Sequence, residues 1–185
     1  MKFETLPIPD IKLLFPKKFR DNRGFFSETY NETAYASAGI TSTFVQDNYS
    51  LSNPVGVLRG LHYQCAPFAQ DKLVYVTHGR IFDVAVDLRA GSSTFGKWVS
   101  AELSADEWNQ IFIPKGFAHG FMTLTPDAEV HYKVSAPYAP DSECSIMWND
   151  PDLGIGWPLT TDAVSLSPKD AQAMSFADYC RSPAF

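Results

Sequence analysis

Between Lys72 and Leu88 the chain alternates with a period of two. Val74 and Val76 share one strand face, and His78-Gly79 marks a turn. Beyond it, Phe82, Val84, Val86 and Leu88 alternate with Ile81, Asp83, Ala85 and Asp87. Alternation on both sides of a short turn predicts a β-hairpin with one face packed on a core. Asp83 and Asp87 fall on the other face and are expected to meet solvent; the second reading of Asp83 is a place inside a barrel, supporting His62 or His119. Further strands are predicted over residues 24–30, 44–51, 56–64, 97–103, 109–114, 120–124, 129–136 and 144–148. Strands about 8–14 residues apart with turn signals between them favour an all-β sandwich or barrel. Helical patterning is sparse. Residues 31–38 form a short candidate stopped by Gly39, and Ser104–Glu107 has capping-box spacing before a turn or two. Residues 168–179 are predicted as a C-terminal helix with Ser167 as N-cap and Pro168 in the first turn. Residues 149–167, rich in Pro, Gly and Asp, are predicted to be a long ordered connection. The expected architecture is one domain spanning 1–185: an N-terminal extended arm, a β-barrel and a short helical cap.

Composition narrows the functional classes. With 185 residues, 45% of them hydrophobic and 19% charged, the chain can bury a sizeable core without metal or disulfide staples. Fifteen Lys and Arg against 21 Asp and Glu leave a net charge of −6, with no basic run, which disfavours nucleic acid as a partner. An anionic ligand must be met by a few placed cations. Cys65, Cys144 and Cys180 are odd in number and form no Cys-x-x-Cys spacing, so neither a disulfide scaffold nor a zinc knuckle is expected. Met1-Lys2-Phe3-Glu4 lacks a signal-peptide pattern, and no apolar run approaches the roughly 18 residues of a membrane span. A cytoplasmic location with no membrane partner is the expectation.

Polar residues concentrate in four strand-like segments: Arg20–Glu28, Gln46–Ser50, Leu58–Gln64 and Ile113–Phe121. Arg59 and His62 are an odd number apart, so on a regular strand they face opposite sides unless Gly60 introduces a bulge. His119 ends a Pro-x-Gly-x-x-His motif with the spacing of the second cupin motif, whereas the first segment offers only His62, followed by Tyr63-Gln64. Two histidines fall short of the three or four ligands a transition metal needs, so no metal is expected.

The stretches Asp21–Glu28, Val45–Gln64, Asp71–Asp87, Ile113–Tyr132, Asp141–Leu159 and Leu166–Asp170 together resemble the dTDP-4-dehydrorhamnose 3,5-epimerase family of metal-independent cupin enzymes. The resemblance implies a double-stranded β-helix (jelly-roll) fold, a homodimer and no cofactor. It also implies a substrate, dTDP-4-dehydro-6-deoxy-D-glucose, whose ketone acidifies the hydrogens on carbons 3 and 5. By this resemblance His62 is the base, Asp170 the carboxylate orienting it, Lys72 the cation facing the enolate oxygen, and Tyr132 the acid on the opposite face. Imidazole, with an ordinary pKa of about 6.5, suits proton abstraction at neutral pH. Arg23, Glu28, Gln46, Asp47, Asn48, Arg59, His119, Glu143 and Lys169 fall on nucleotide-binding positions, and Phe19 and Tyr138 resemble the aromatics that hold the thymine ring. In the family the N-terminal arm often contributes to the neighbouring subunit's site. Three other readings stay open at this level: a single-carbon epimerase of another nucleotide keto sugar, a metal-dependent cupin oxygenase using His62, His119 and a carboxylate, and a non-catalytic sugar-nucleotide binding module. Each catalytic candidate also has a plainer reading: a packed histidine for His62, a helix-start aspartate for Asp170, a strand-entry lysine for Lys72 and a strand tyrosine for Tyr132.

Overall fold

The computed structural model describes residues 2–185. Thirteen strands, β1 (Lys2–Thr5), β2 (Lys12–Phe15), β3 (Lys18–Asp21), β4 (Gly24–Ser27), β5 (Gln46–Ser52), β6 (Leu58–Gln64), β7 (Lys72–His78), β8 (Arg80–Asp87), β9 (Trp98–Ser104), β10 (Gln110–Ile113), β11 (Phe117–Thr123), β12 (Ala128–Val134) and β13 (Glu143–Ser145), dominate the fold. Two short helices, α1 (Glu32–Ala36) and α2 (Phe176–Arg181), accompany them. The strands form an antiparallel six-stranded sheet in the order β1-β2-β10-β7-β12-β5 and a five-stranded sheet in the order β13-β6-β11-β8-β9, with β3-β4 as a separate hairpin. This is the expected jelly-roll, and the N-terminal arm is itself strand: β2 pairs with β10 and carries β1 on its outer side.

The core lies between the two sheets. Val74, Val76, Ile111, Ile113 and Val130 of the six-stranded sheet meet Ile81, Ala85, Val99, Leu103, Phe117 and Phe121 of the other. The outer face of the five-stranded sheet is buried too. Leu61, Val84, Val86, Leu88 and Ala118 pack under Ile146, Leu153, Phe176 and Tyr179 of the C-terminal region. On the far side, α1 covers the six-stranded sheet, with Tyr35, Ala38 and Ile40 on Leu14, Leu73 and Phe112. Its start is capped by the Asn31 side chain accepting from the Ala34 amide, and Gly39 follows with φ +78°.

Burial on both faces of the sheet overturns the expectation for Asp83 and Asp87. Ile81, Asp83, Ala85 and Asp87 face the sandwich interior, while Phe82, Val84 and Val86 face the cap, and both carboxylates are fully buried. Asp87 accepts from the backbone N–H, Nε and Nη2 of Arg89 and from the hydroxyls of Ser92 and Thr94, at 2.6–3.0 Å. Burial opposes its charge, but these donors outweigh it and hold its pKa at about 2. A depressed carboxylate pKa contributes stability above the unfolded value near 4, and that contribution is lost as the pH falls toward 2. Asp87→Asn is therefore expected to lose about 3 kcal/mol at neutral pH, with the gap to the parent closing between about pH 4 and pH 2. Urea unfolding of both proteins across that range checks it.

The C-terminal helix is shorter than predicted. Ser167 does accept from the Asp170 amide at 3.1 Å, but only a 3₁₀ turn, Asp170–Gln172, follows. Ala173 is then extended (ψ 150°), and Met174 exchanges backbone hydrogen bonds with Ser145 and Met147. The helix begins afresh at Phe176, capped by Ser175, whose hydroxyl accepts from the Asp178 amide. No helix among the described residues is long and apolar enough to cross a membrane.

Candidate active site

Strand β6 supplies His62 from the five-stranded sheet, while β7 and β12 supply Lys72 and Tyr132 from the six-stranded sheet. All three line one cavity of about 430 Å³ together with Arg59, His119, Glu143, Lys169 and Asp170. A second lobe of about 320 Å³ shares His62, Lys72, Tyr132 and Glu143, and adds Gln46, Asn48, Gln64 and Tyr138. Arg59 and His62 reach the same cavity because the β6–β11 register shifts between His119 and Phe121. Gly60 (φ +136°) lies there against Gly120: a Cβ on Gly60 would come within 2.4 Å of the Gly120 Cα. Only glycine permits that approach.

His62 Nε2 lies 2.5 Å from Asp170 Oδ1, and Ser167 Oγ donates to Asp170 Oδ2 at 2.9 Å. Burial pushes the Asp170 carboxyl up, but the hydrogen bonds from His62 and Ser167 prevail and hold it below its ordinary value. An ionised Asp170 only accepts, so Nε2–H donates to it and Nδ1 is the ring nitrogen left to take a proton. The N-cap geometry of Ser167 and the orientation of His62 thus use the same aspartate.

Lys72 is buried, and its Nζ donates to the His62 carbonyl at 3.4 Å. Burial pushes its pKa down to about 8 against the opposing pull of Asp83 and Glu143. His119 Nε2 sits 2.8 Å from Asp83 Oδ2, inside the sandwich. Burial depresses the imidazole and raises the carboxyl, each opposed by its partner. Of the two sequence readings of Asp83, the interior one holds, and His119 rather than His62 is its partner. Burial also raises the Tyr132 phenol, with Arg59 opposing and Glu143 adding to the rise, so the hydroxyl keeps its proton at neutral pH. Glu143 accepts from Tyr138 Oη at 2.6 Å and pairs with Lys169; these bonds outweigh its burial and hold it ionised.

Four expected binding residues lie elsewhere. Phe19, Arg23 and Glu28 belong to the β3–β4 hairpin region, outside the cavity. Phe19 is 50% exposed, and Arg23 points into solvent, bonded to Asp21. Asp47 sits on the outer face of β5 and pairs with Lys133 Nζ at 2.8 Å, because alternation sends Gln46, Asn48, Ser50 and Ser52 inward. Gln64 was missed in the sequence, although it follows His62 by two positions and so shares its strand face. Its side-chain amide donates to the carbonyls of Phe68 and Pro137, and its oxygen accepts from the Ala139 amide, which fixes the segment bearing Tyr138. His78 ends β7, just before the turn at Gly79, and bonds to the Asp127 carbonyl, while His131 stacks on Tyr75 away from the cavity. Among the described residues, no group of three or more His, Cys, Asp or Glu is placed to hold a metal ion.

A jelly-roll cavity with an imidazole–carboxylate pair on one sheet, and a protonated phenol and a buried amine on the other, defines a cupin-type enzyme equipped for proton transfer next to a developing negative charge. The family model for dTDP-4-dehydrorhamnose 3,5-epimerase matches residues 5–178, and the chain belongs to that family. A dTDP-4-dehydrorhamnose 3,5-epimerase of Pseudomonas aeruginosa is 55% identical over 179 residues, covering 96% of this chain and 97% of its own. A dTDP-6-deoxy-D-glucose-3,5-epimerase of Legionella pneumophila, solved with dTDP-4-keto-L-rhamnose, superposes with a TM-score of 0.90 at 50% identity, covering 94% of this chain and 92% of its own. A 3'-monoepimerase of Streptomyces bikiniensis, solved with dTDP-quinovose, has a TM-score of 0.87 at 34% identity, covering 96% and 89%.

Proposed function

We propose that this chain is a dTDP-4-dehydrorhamnose 3,5-epimerase, inverting carbons 3 and 5 of dTDP-4-dehydro-6-deoxy-D-glucose to give dTDP-4-dehydro-L-rhamnose in dTDP-L-rhamnose biosynthesis. The observation that carries this reading is the placement of His62 and Tyr132 on opposite sheets of one cavity, with Lys72 beside them. His62 removes the hydrogen from a carbon next to the ketone, and Asp170 stabilises the imidazolium that results. The charge moves to the ketone oxygen, where Lys72 meets it; a buried cation is worth more there than in water. Tyr132 then delivers a proton to the opposite face, and the configuration inverts. The identity of 41–55% to named 3,5-epimerases against 34% to the 3'-monoepimerase supports inversion at both carbons.

In this reading Arg59 and Lys169 take the diphosphate, and Gln46, Asn48, His119 and Glu143 orient the sugar and nucleoside. Arg59 is held toward the cavity by Ser52 Oγ, at 3.2 Å, and by the Leu51 carbonyl. Tyr138, 54% exposed at the mouth of the second lobe, stacks on the thymine ring. The hairpin fits a homodimer. Phe19, Phe25 and Phe26 are 44–67% exposed on it, an apolar surface suited to burial against a second copy. Phe19, Arg23 and Glu28 would then complete the neighbour's nucleotide site. Sedimentation equilibrium at micromolar concentration is expected to return the mass of two chains; a single-chain mass would remove this part.

Tyr132→Phe tests the division of labour. It keeps the ring that packs on the core but loses the proton. The variant is expected to retain carbon-bound exchange in D₂O while inverted product falls about 10²-fold or more. Unchanged inversion would assign the acid elsewhere.

A further inference from the structure

Cys65 and Cys144 lie on the reverse side of the strands that wall the second lobe. Glu143 pairs with Gln64 and Cys144 with Tyr63 across β13 and β6, and the Cys65 amide continues the ladder to the Ser142 carbonyl at 2.8 Å. Because successive side chains alternate, Gln64 and Glu143 face the ligand cavity while Cys65 and Cys144 face away, against the cluster containing Tyr63 and Tyr179. The two sulfurs are 3.6 Å apart, both thiols are free, and both residues are half-buried. β13 is three residues long and lies at the edge of its sheet, joined by strand pairing to β6 alone.

We propose that Cys65 and Cys144 are the site of a reversible intramolecular disulfide, formed by a disulfide oxidant such as glutathione disulfide, that staples β13 to β6 behind the ligand cavity. One cysteine thiolate attacks glutathione disulfide, forming a protein–glutathione bond and expelling one glutathione thiolate. The neighbouring cysteine thiolate then attacks the bonded protein sulfur, and the second glutathione leaves. The two cysteines give up two electrons, glutathione disulfide takes them, and the two thiol protons end on the released glutathiones. The 3.6 Å approach makes the second step intramolecular and fast relative to a second external attack. Burial, with Cys144 adding to the effect, pushes the Cys65 thiol up to about 11, so little thiolate forms on it at neutral pH and the site resists chance oxidation. The proposal does not depend on the identity of the substrate.

The test uses the folded protein in a Cys180→Ala background, because Cys180 is exposed and reacts independently. The protein is incubated with glutathione disulfide at about pH 8.5, where thiolate is more abundant, then quenched in acid and weighed. The expected result is loss of the mass of two hydrogen atoms, a peptide pair joined through Cys65 and Cys144, and full reversal by dithiothreitol. With Cys144→Ser added, no such loss occurs. Because the cross-link closes a loop of roughly 80 residues, the oxidised protein is expected to melt several degrees above the reduced form. A persistent glutathione adduct on either cysteine, no reaction, cross-linking only in denaturant, or a lower melting temperature after oxidation would each overturn the proposal.

Discussion

His62→Asn is expected to lower kcat by about 10³-fold and to abolish exchange of carbon-bound hydrogen with solvent. The cavity holds two imidazoles, but they are not equivalent. His119 is locked by Asp83 within the sandwich, 7% exposed. His62 is 28% exposed on its side chain and has an ionised carboxylate behind it. Only the second arrangement lets a ring accept a proton from a ligand and keep the resulting charge stabilised. Asparagine is too short to replace the Nε2 bond, but Ser167 still donates to the Asp170 carboxylate, so the fold should survive, and an unchanged melting temperature beside lost turnover separates chemistry from stability. If His119 were the base, His62→Asn would retain exchange, and steady-state rates with NMR detection decide the point.

Lys72→Met is expected to reduce kcat/KM by about 10²- to 10³-fold, the usual effect of removing one group that meets developing negative charge. Methionine is unbranched and close to the lysine stem in volume, so the packing beside Val134, the cross-strand partner of Lys72, changes little. The pH profile carries a separate signature. With Lys72 held at about 8, raising the pH through that value removes its charge. The sign follows directly: kcat/KM of the parent falls above about pH 8, approaching tenfold per unit, because the profile of kcat/KM reports ionisations of the free enzyme. In Lys72→Met the limb due to this amine disappears. A parent profile flat through pH 9.5 would remove Lys72 from the chemistry.

The sequence conveyed the strands well where alternation was strong. Residues 72–88 predict two strands either side of a turn at Gly79, and both strands are present. They are not the hairpin expected: β7 pairs with β10 and β12 in the six-stranded sheet and β8 with β11 and β9 in the other, so the turn crosses from one sheet to the other, which alternation does not reveal. The same alternation misplaced Asp83 and Asp87, because period two tells which residues share a face but not what covers that face. Here the C-terminal region covers the side taken to be core, and the second sheet covers the side taken to be solvent. The helix expected from residue 168 failed for a related reason: its capping residues are real, but Met174 is drawn into pairing beside Ile146. In the cavity, His62, Lys72, Tyr132 and Asp170 come together from residues up to 108 positions apart, as the family resemblance implied and spacing alone did not. Arg59 joined them only through the close approach of Gly60 and Gly120, which the sequence offered as one option. Asp47 turned outward with its strand, and Gln64 went unnoticed because its work is to hold the Tyr138 segment rather than to meet a ligand.

The most direct measurement follows dTDP-4-dehydro-6-deoxy-D-glucose by NMR in D₂O with the purified chain. Deuterium at both carbon 3 and carbon 5, with the configuration inverted at each, is the predicted result. Exchange at one carbon only would make the chain a single-carbon epimerase, and exchange at neither would contradict the proton-transfer account of His62 and Tyr132.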